Sequence, residues 1–481
     1  MCPGNIGDYF LRYISMALPL EKIMRVAKTR GFINQSSEVY GGFSSSYDYG
    51  PLGVELKNNL KRAWWESMVY KTRGIFGLDS AILMNPRIWE ASGHVENFHD
   101  PLVEDLVTHK RYRVDHLLEA HNIETDTLTM DDMRAALKKH NIKSPDGNPI
   151  TEPRQFNLMM KTHIGPAEDT SSLAYLRPET AQGIYVNFHW VRESMRARLP
   201  FGIAQIGKAF RNEITPGNFT YRMREFEQME MQYFVRPDNG MKFFEEWKEK
   251  RMQWYISLGI KKENLRFHEH TKAELAHYAR AAVDIQYKFP DPMGWKELEG
   301  IHHRGDWDLS RHSKYSGNDL SYQDDISGER FIPHIIETSA GADRATLVFL
   351  LDAYEEIAGG RTTTTEATKD VEAVMRFSPA IAPVAVAVLP LVKNKPPITE
   401  LAHTIAAKLR VARVGLVLYD ESGSIGRRYR RQDEVGTPYC ITVDFDSLEQ
   451  HTVTVRNRDT MSQERIAIAD LEQHILSRRM L

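Results

Sequence analysis

The sequence predicts an α+β chain in two unequal parts, a larger one built around a long hairpin between helices and a smaller C-terminal α/β layer domain. Three observations predict it. Residues 200 to 235 adopt a period of two on either side of the turn ITPGNF, which is a hairpin signal. FIPHIIETSAGADRATLVFLLDAY passes from strand period to helical spacing near Gly341. Beyond a linker rich in proline and alanine near residue 380, strand and helix patterns alternate to the end of the chain.

Taken in order, residues 17 to 31 space Leu20, Ile23, Met24, Val26 and Ala27 as a short amphipathic helix stopped by Gly31. The glycine-rich stretch from Gly41 to Gly53 reads as a loop. It leads into a long helix in which Leu56, Leu60, Trp64 and Met68 recur every four residues. AILMNPRIWEASGH reads as a strand that Pro86 confines to an edge or interface, because proline cannot donate to a ladder. Residues 119 to 153 turn polar, with Thr129 as helix N-cap and Asp132 three residues on, and read as an insertion. The last hundred residues read strand, helix, strand, basic helix, strand, hairpin and helix. The expected divisions are 1–118, the insertion 119–153, 154–376 and 380–481.

The 481 residues, 42% hydrophobic and 26% charged, are ordinary for a globular enzyme and too many for one core. A formal charge of -3 neither supports nor excludes nucleic acid, since a large protein can bind RNA through a local patch. The two cysteines, Cys2 and Cys440, supply no Cys-x-x-Cys zinc pattern and no disulfide framework, which points to a reducing compartment. No signal-peptide pattern opens the chain, Met16 offers a second start, and no stretch approaches the roughly 18 apolar residues of a membrane span. A cytoplasmic protein without a membrane partner is expected.

Within the hairpin, AQIGKAFRNE puts Gln205, Gly207, Ala209, Arg211 and Glu213 on one face, leaving room for a flat ligand over Gly207 and Ala209. The partner strand TYRMREFEQMEMQYF adds Arg222, Arg224, Phe226, Gln228, Glu230 and Gln232, opposite Met223, Met229, Met231 and Tyr233. Alternation alone also describes an exposed face of solvated salt bridges, which contributes little. Arginines, an aromatic ring and a carboxylate converging beside FRNE suit a site where guanidinium groups hold phosphates, a ring stacks on a base and Glu230 holds an ammonium. In FIPHIIETSAGADR the strand phase groups Ile335, Glu337 and Ser339 before Gly341 opens a helix carrying Arg344 in its first turn. That arrangement favours an anion, although a packing glycine flanked by surface charges Asp343 and Arg344 fits the same residues.

FRNE, a loop and RMREF resemble motif 2 of class II aminoacyl-tRNA synthetases, and EQMEMQYF is similar to the glycyl-tRNA synthetase branch of single-subunit type. FIPHIIETSAGADR resembles motif 3, LRPETAQG the amino-acid recognition loop and YRVDHL a segment reaching the same pocket. The resemblance covers nearly the whole chain in family order, with one departure at Ser44 to Ser46, where relatives usually include a glycine. It implies an antiparallel catalytic sheet flanked by helices plus an anticodon-binding α/β domain, working as a homodimer through the long helix and the Pro86 strand. ATP contacts would come from Arg211, Asn212, Glu213, Tyr221, Arg222, Met223, Arg224, Glu225, Phe226, Glu297, Leu298, Gly341, Ala342, Asp343 and Arg344, with Arg211, Glu213 and Arg344 catalytic. Glycine contacts would come from Arg113, Glu179, Phe226, Gln228, Glu230, Glu337, Ser339 and Gly341. Glu297, one strand step from Glu299, is the carboxylate for Mg²⁺ accompanying ATP, whereas no structural zinc is implied, and His302 and His303 lack a third ligand at a recognisable spacing.

The basic run RRYRRQDE suits either a solvated helix face or phosphate contacts, and its likeness to an anticodon-binding domain implies tRNA contact by Arg427, Arg428, Arg430 and Arg431. After residue 380 there are 14 Lys and Arg against 12 Asp and Glu, a small excess concentrated in this run. The implied activity is ATP-dependent attachment of glycine to tRNA(Gly). A catalytically inactive relative serving as a nucleic-acid-binding accessory subunit, or a ligase for another small amino acid, would share much of the pattern. Glycine is the smallest amino acid, so no smaller competitor exists and no editing domain is expected.

Overall fold

The computed structural model describes residues 19–479 apart from 126–127, 167, 170–171, 215–216, 273, 276–278, 360 and 362–370; the alternative start at Met16 and the whole stretch TTTTEATKD, 362–370, lie outside the described residues. Helix α1 (Pro19–Thr29) buries Ile23 and Ala27 as its spacing predicts. Helix α2 (Pro51–Trp65) runs on through a wider turn at Glu66–Tyr70, and its four-residue stripe Leu56, Leu60, Trp64 and Met68 is wholly buried. The two are laced tightly: a Cβ on Gly53 would stand 1.8 Å from the carbonyl oxygen of Phe32. In the loop between them Ser45 has φ +56°, the left-handed region that L side chains disfavour, which is where relatives are expected to carry glycine.

Seven strands form the main sheet: β1 (Ile75–Gly77), β2 (Phe201–Phe210), β3 (Glu225–Val235), β4 (Leu265–Glu269), β5 (Ala281–Lys288), β6 (Trp295–Gly305) and β7 (His334–Gly341), in the order β4-β5-β6-β7-β3-β2-β1. Every pairing is antiparallel except that of the short edge strand β1 with β2. The expected hairpin is β2 with β3, Gln228 facing Gly207. Helices α3 (Gly240–Ser257) and α4 (Ala342–Ala353) join α2 over one face, where Met229, Met231, Trp247, Tyr255, Leu347 and Leu350 share the largest core. On the opposite face one end is sealed by Ile184, Tyr185 and Phe188 against Phe201, Phe234 and Ile335. The other end of that face stays polar and forms a cleft.

The polar segment beyond residue 119 folds its helix Met130–Lys139 with the expected reciprocal cap between Thr129 and Asp132, and its Met133 and Leu137 pack with Val103, Val114 and Leu118. Around Pro86 the strand expectation is corrected: Arg87–Ala91 is a short helix. Proline at a helix start loses no needed N–H, the Asn85 side chain accepts from the Arg87 N–H at 3.0 Å, and Trp89 is driven inside. The hairpin of Tyr354–Ala358 with Val371–Met375 was not signalled by the sequence. After it comes a second sheet, β8 (Val384–Pro390), β9 (Leu416–Tyr419), β10 (Tyr439–Val443), β11 (Thr452–Asn457) and β12 (Gln463–Ala467), ordered β9-β8-β10-β11-β12 and parallel around β8. Helices α5 (Pro396–Val411) and α6 (Ile425–Val435) pack on it.

A register shift opposite Ile285 and Gln286 leaves Leu298 as an extra residue in β6, with its side chain in the core. Glu297 and Glu299, two residues apart in sequence, therefore serve different faces. Glu299 is fully buried beneath α3, where it accepts from Arg251 at 2.6 and 3.0 Å and from the Tyr255 hydroxyl at 2.8 Å. Removing one partner of such a pair strands the other charge, so Glu299→Ala is expected to destabilise the protein by about 3–5 kcal/mol. An unchanged urea midpoint would contradict this.

Candidate active site

The cleft holds about 300 Å³ and is shared by β3, β6, β7, the start of α4, the segment that joins β2 to β3 and the loop before residue 181. Its inner end is acidic. Glu179, Glu230 and Glu337 line it together, with Gln228 and Ser339 beside them. Glu337 receives Arg304 Nη1 at 3.2 Å, Gln232 Nε2 at 2.8 Å and His302 Nδ1 at 2.9 Å. Burial works against its charge, but Arg304 and His302 outweigh it and hold the carboxyl down to about 2. Glu179 is treated likewise: against its burial, His94, Arg304 and the Gln182 amide keep it ionised well below the usual range. Among the described residues Glu230 receives the Thr180 hydroxyl alone, and burial together with the neighbouring Glu337 and Glu179 pushes it up to about 8. Gln228 bridges the Thr180 N–H at 3.0 Å and the Ser339 hydroxyl at 3.4 Å.

The outer end is cationic and aromatic. Arg211 donates from Nε to the Pro178 carbonyl at 3.0 Å and lies 5.3 Å from the Phe226 ring centre. Arg344, in the first turn of α4, rests 4.3 Å over the Tyr221 ring and pairs with Glu297 at 3.0 Å. Desolvation at the cleft wall works against its charge, but Glu297, half exposed, is held below its ordinary range by Arg344, His302 and Arg211. Arg222, Glu213, Met223 and Gly341 complete the wall. One end thus holds three carboxylates and the other three arginines around a flat ring.

Comparison with known proteins decides what this arrangement belongs to. The chain is 51% identical to the glycine–tRNA ligase of Thermobifida fusca over 95% of this chain and 98% of that protein. It is 52% identical to that of Treponema denticola (95% and 96% covered) and 50% to that of Bacillus anthracis (94% and 97%). The chain belongs to the glycine–tRNA ligase family. Residues 385–478 also match the anticodon binding domain family, and the sheet β8 to β12 lies almost entirely within them.

Not every residue that the glycine–tRNA ligase resemblance nominated lines the cleft. Arg113 is drawn away by Asp100 at 2.6 Å and Asp115 at 2.5 Å. The Leu298 side chain points to the core because of the bulge, and Ala342 is buried in the same core. Asn212 gives its N–H to Leu158 O at 2.8 Å, Arg224 reaches Ser44 O at 3.3 Å, and Glu225 pairs with Lys208 at the surface. Asp343 lines the cleft but is a buried anchor rather than a surface charge, accepting from Tyr49 Oη and Lys57 Nζ at 2.7 Å each and from the Glu227 N–H at 2.6 Å. No flat ligand fits over Gly207, since Arg177 lies there: a Cβ on Gly207 would stand 2.2 Å from its guanidinium. In α6, Arg428 is buried and donates to the Pro390 and Leu391 carbonyls, which removes it from the four nominated RNA contacts. Tyr429 packs inward, its hydroxyl 2.5 Å from Thr442 Oγ1, so it offers no open stacking face. Arg431 pairs with Asp420 at 2.5 Å, and Arg427 remains at the surface.

Sequence reading missed Gly300, His302 and Arg304 as cleft residues. Their signal was the period of two in GIHHRG, which places all three on one face once the bulge at Leu298 is allowed for.

Glu230 has a pH consequence. Its folded carboxyl is raised from 4.5 to about 8, so the native state binds the proton more tightly than the unfolded chain, and the stability this supplies below pH 4.5 is lost as pH rises toward 8. Glu230→Gln, neutral at all pH, is expected to raise the melting temperature over the parent at pH 9 more than at pH 5. The same increment at both would refute the assignment.

Proposed function

We propose that the cleft activates glycine with ATP and that the chain then passes the glycyl group to the 3′ end of tRNA(Gly). The observation that carries this reading is the pairing of a three-carboxylate niche with a three-arginine wall in one cleft, in a chain of the glycine–tRNA ligase family. An ammonium supplies the positive charge that Glu179, Glu230 and Glu337 call for, and Tyr185, Arg304 and Gln232 back the niche, against which a Cβ would press. Overpacking costs roughly 1–3 kcal/mol per misfit group, which favours glycine over alanine and serine.

In the first step a glycine carboxylate oxygen attacks the α-phosphorus, the bond to the bridging oxygen breaks, and pyrophosphate leaves. Arg211 stabilises charge developing on the α-phosphate, Arg344 holds the far end of the triphosphate, and Phe226 stacks on adenine. No side chain acts as nucleophile; catalysis consists of positioning and preorganised charge. In the second step a ribose hydroxyl of the tRNA end attacks the acyl carbon and AMP leaves. Glu297, a carboxylate kept ionised beside Arg344, offers the hard oxygen donor that Mg²⁺ prefers, and the metal would supply neutralisation of triphosphate charge.

The C-terminal domain would hold the tRNA through Arg427, Arg430 and Arg431. We further infer a cytoplasmic homodimer joined through α2. Val39 and Tyr40, each 90% exposed on the loop before that helix, suit such a contact. Among the described residues no helix is long and apolar enough to cross a membrane.

Glycine-dependent ATP–pyrophosphate exchange, run against an amino-acid panel, tests the reading. Exchange with glycine alone is expected, and exchange with none would make the chain an accessory subunit. Arg211→Ala should lower the activation rate on the order of 10²-fold or more, as loss of one transition-state donor does, whereas a loss below about threefold would count against its role.

A further inference from the structure

Two residues outside the cleft touch its two charged ends at once. His94 and Phe98 sit at either end of the short helical turn His94–Asn97, and neither lines the cavity. His94 bridges Ser92 Oγ, 2.8 Å from its Nδ1, and the Glu179 carboxylate, 3.5 Å from its Nε2. The Phe98 ring lies 5.4 Å from the Arg211 guanidinium, which itself stands 5.3 Å from the Phe226 ring. The His94 and Phe98 rings meet edge to face at 5.2 Å, and buried Trp89 backs His94 at 5.6 Å. Trp89, His94, Phe98, Arg211 and Phe226 therefore form one continuous chain of contacts.

The backbone ties the same parts together. The Phe98 carbonyl accepts the Leu158 N–H at 3.0 Å, the Leu158 carbonyl accepts the Asn212 N–H at 2.8 Å, and the Asn157 amide holds the Val95 carbonyl at 3.0 Å. Residue 94 is thereby fixed relative to the residue that follows Arg211. Glu179 is clamped from its other side by Gln182 at 2.7 Å, itself held by His312 at 2.7 Å, so His94 is the partner that fixes its second oxygen.

We propose that residues 94–98 are a positioning strut for both substrates, with His94 orienting Glu179 toward the ammonium and Phe98 fixing the plane of Arg211 toward the α-phosphate. The inference rests on the proposed function, because it assigns to supporting residues the two ends of that reaction. A merely structural role would lower stability and weaken both substrates together. A strut instead separates them: one end acts on the amino acid and the other on phosphate transfer.

Pyrophosphate exchange by the full chain, with glycine and ATP varied independently, reads the separation. His94→Ala is expected to raise the glycine KM on the order of tenfold and leave the ATP KM within about twofold, the usual scale for removing a partner that orients a liganding group. Phe98→Leu is expected to lower kcat on the order of tenfold with the glycine KM kept, and Phe98→Tyr, which retains the ring, to keep the parental kcat. Should His94→Ala fail to fold by thermal melting, His94→Gln is expected to show the same selective rise. Parental constants in these variants, or equal losses for both substrates, overturn the strut while leaving the reading of the cleft intact. A parent chain without exchange overturns both.

Discussion

Three carboxylates at one end of a cleft repel one another, and the surrounding structure is arranged to make that tolerable. Register does most of it: β7 sets Glu337 opposite Gln232 on β3 and opposite His302 on β6, while Glu230 lies opposite Ser339. Arg304, two residues further along the same face of β6, is locked by Asp308 at 2.7 and 2.9 Å and lends its remaining charge to Glu337. Glu179 has His94 Nε2 at 3.5 Å from outside the sheet and the Gln182 amide at 2.7 Å. Glu230 is left with a hydroxyl donor, and its burial beside the other two carboxylates pushes it up to about 8. Under the proposed function the substrate ammonium completes this set, and the cleft is electrostatically poised for a small cation with an anion attached.

The same sheet keeps its second face apolar, and the cleft depends on that division. Strand β3 alternates Met229, Met231 and Tyr233 into the core with Gln228, Glu230 and Gln232 away from it. Where charge does cross to the helical side it is fully paired. Lys57 on α2 joins Glu227 at 2.6 Å and Asp343 at 2.7 Å, tying α2, β3 and the start of α4 together beneath the arginine wall. Breaking such a buried set is far costlier than its assembly is favourable, so the helix carrying Arg344 is fixed by an ionic knot as well as by packing.

Much of this was legible in the sequence. Strong periodicity placed α2, the β2–β3 hairpin, the β7–α4 transition and the alternating C-terminal elements, and alternation correctly gathered Phe226, Gln228 and Glu230 on one face. What escaped reading has physical causes. A period assumes an unbroken ladder, so one extra residue at Leu298 reversed the expected partnership of Glu297 and Glu299. Proline excludes a ladder interior but also starts helices, and local residues alone did not choose for Pro86. Long cationic side chains go where partners that periodicity does not reveal draw them. Arg177 fills the space above Gly207, Arg113 is taken by two aspartates, and Arg428 turns inward to the carbonyls that end β8. The roles of His94 and Phe98 depend on neighbours that no local pattern announces.

The extra residue in β6 makes the strand a lever with its fulcrum at a single side chain. On one arm Glu299 grips the guanidinium of α3; on the other Glu297 steers Arg344 over its tyrosine rest. Because the two arms share the peptide units around Leu298, one short piece of backbone sets both the seat of α3 and the place of the carboxylate beside Arg344.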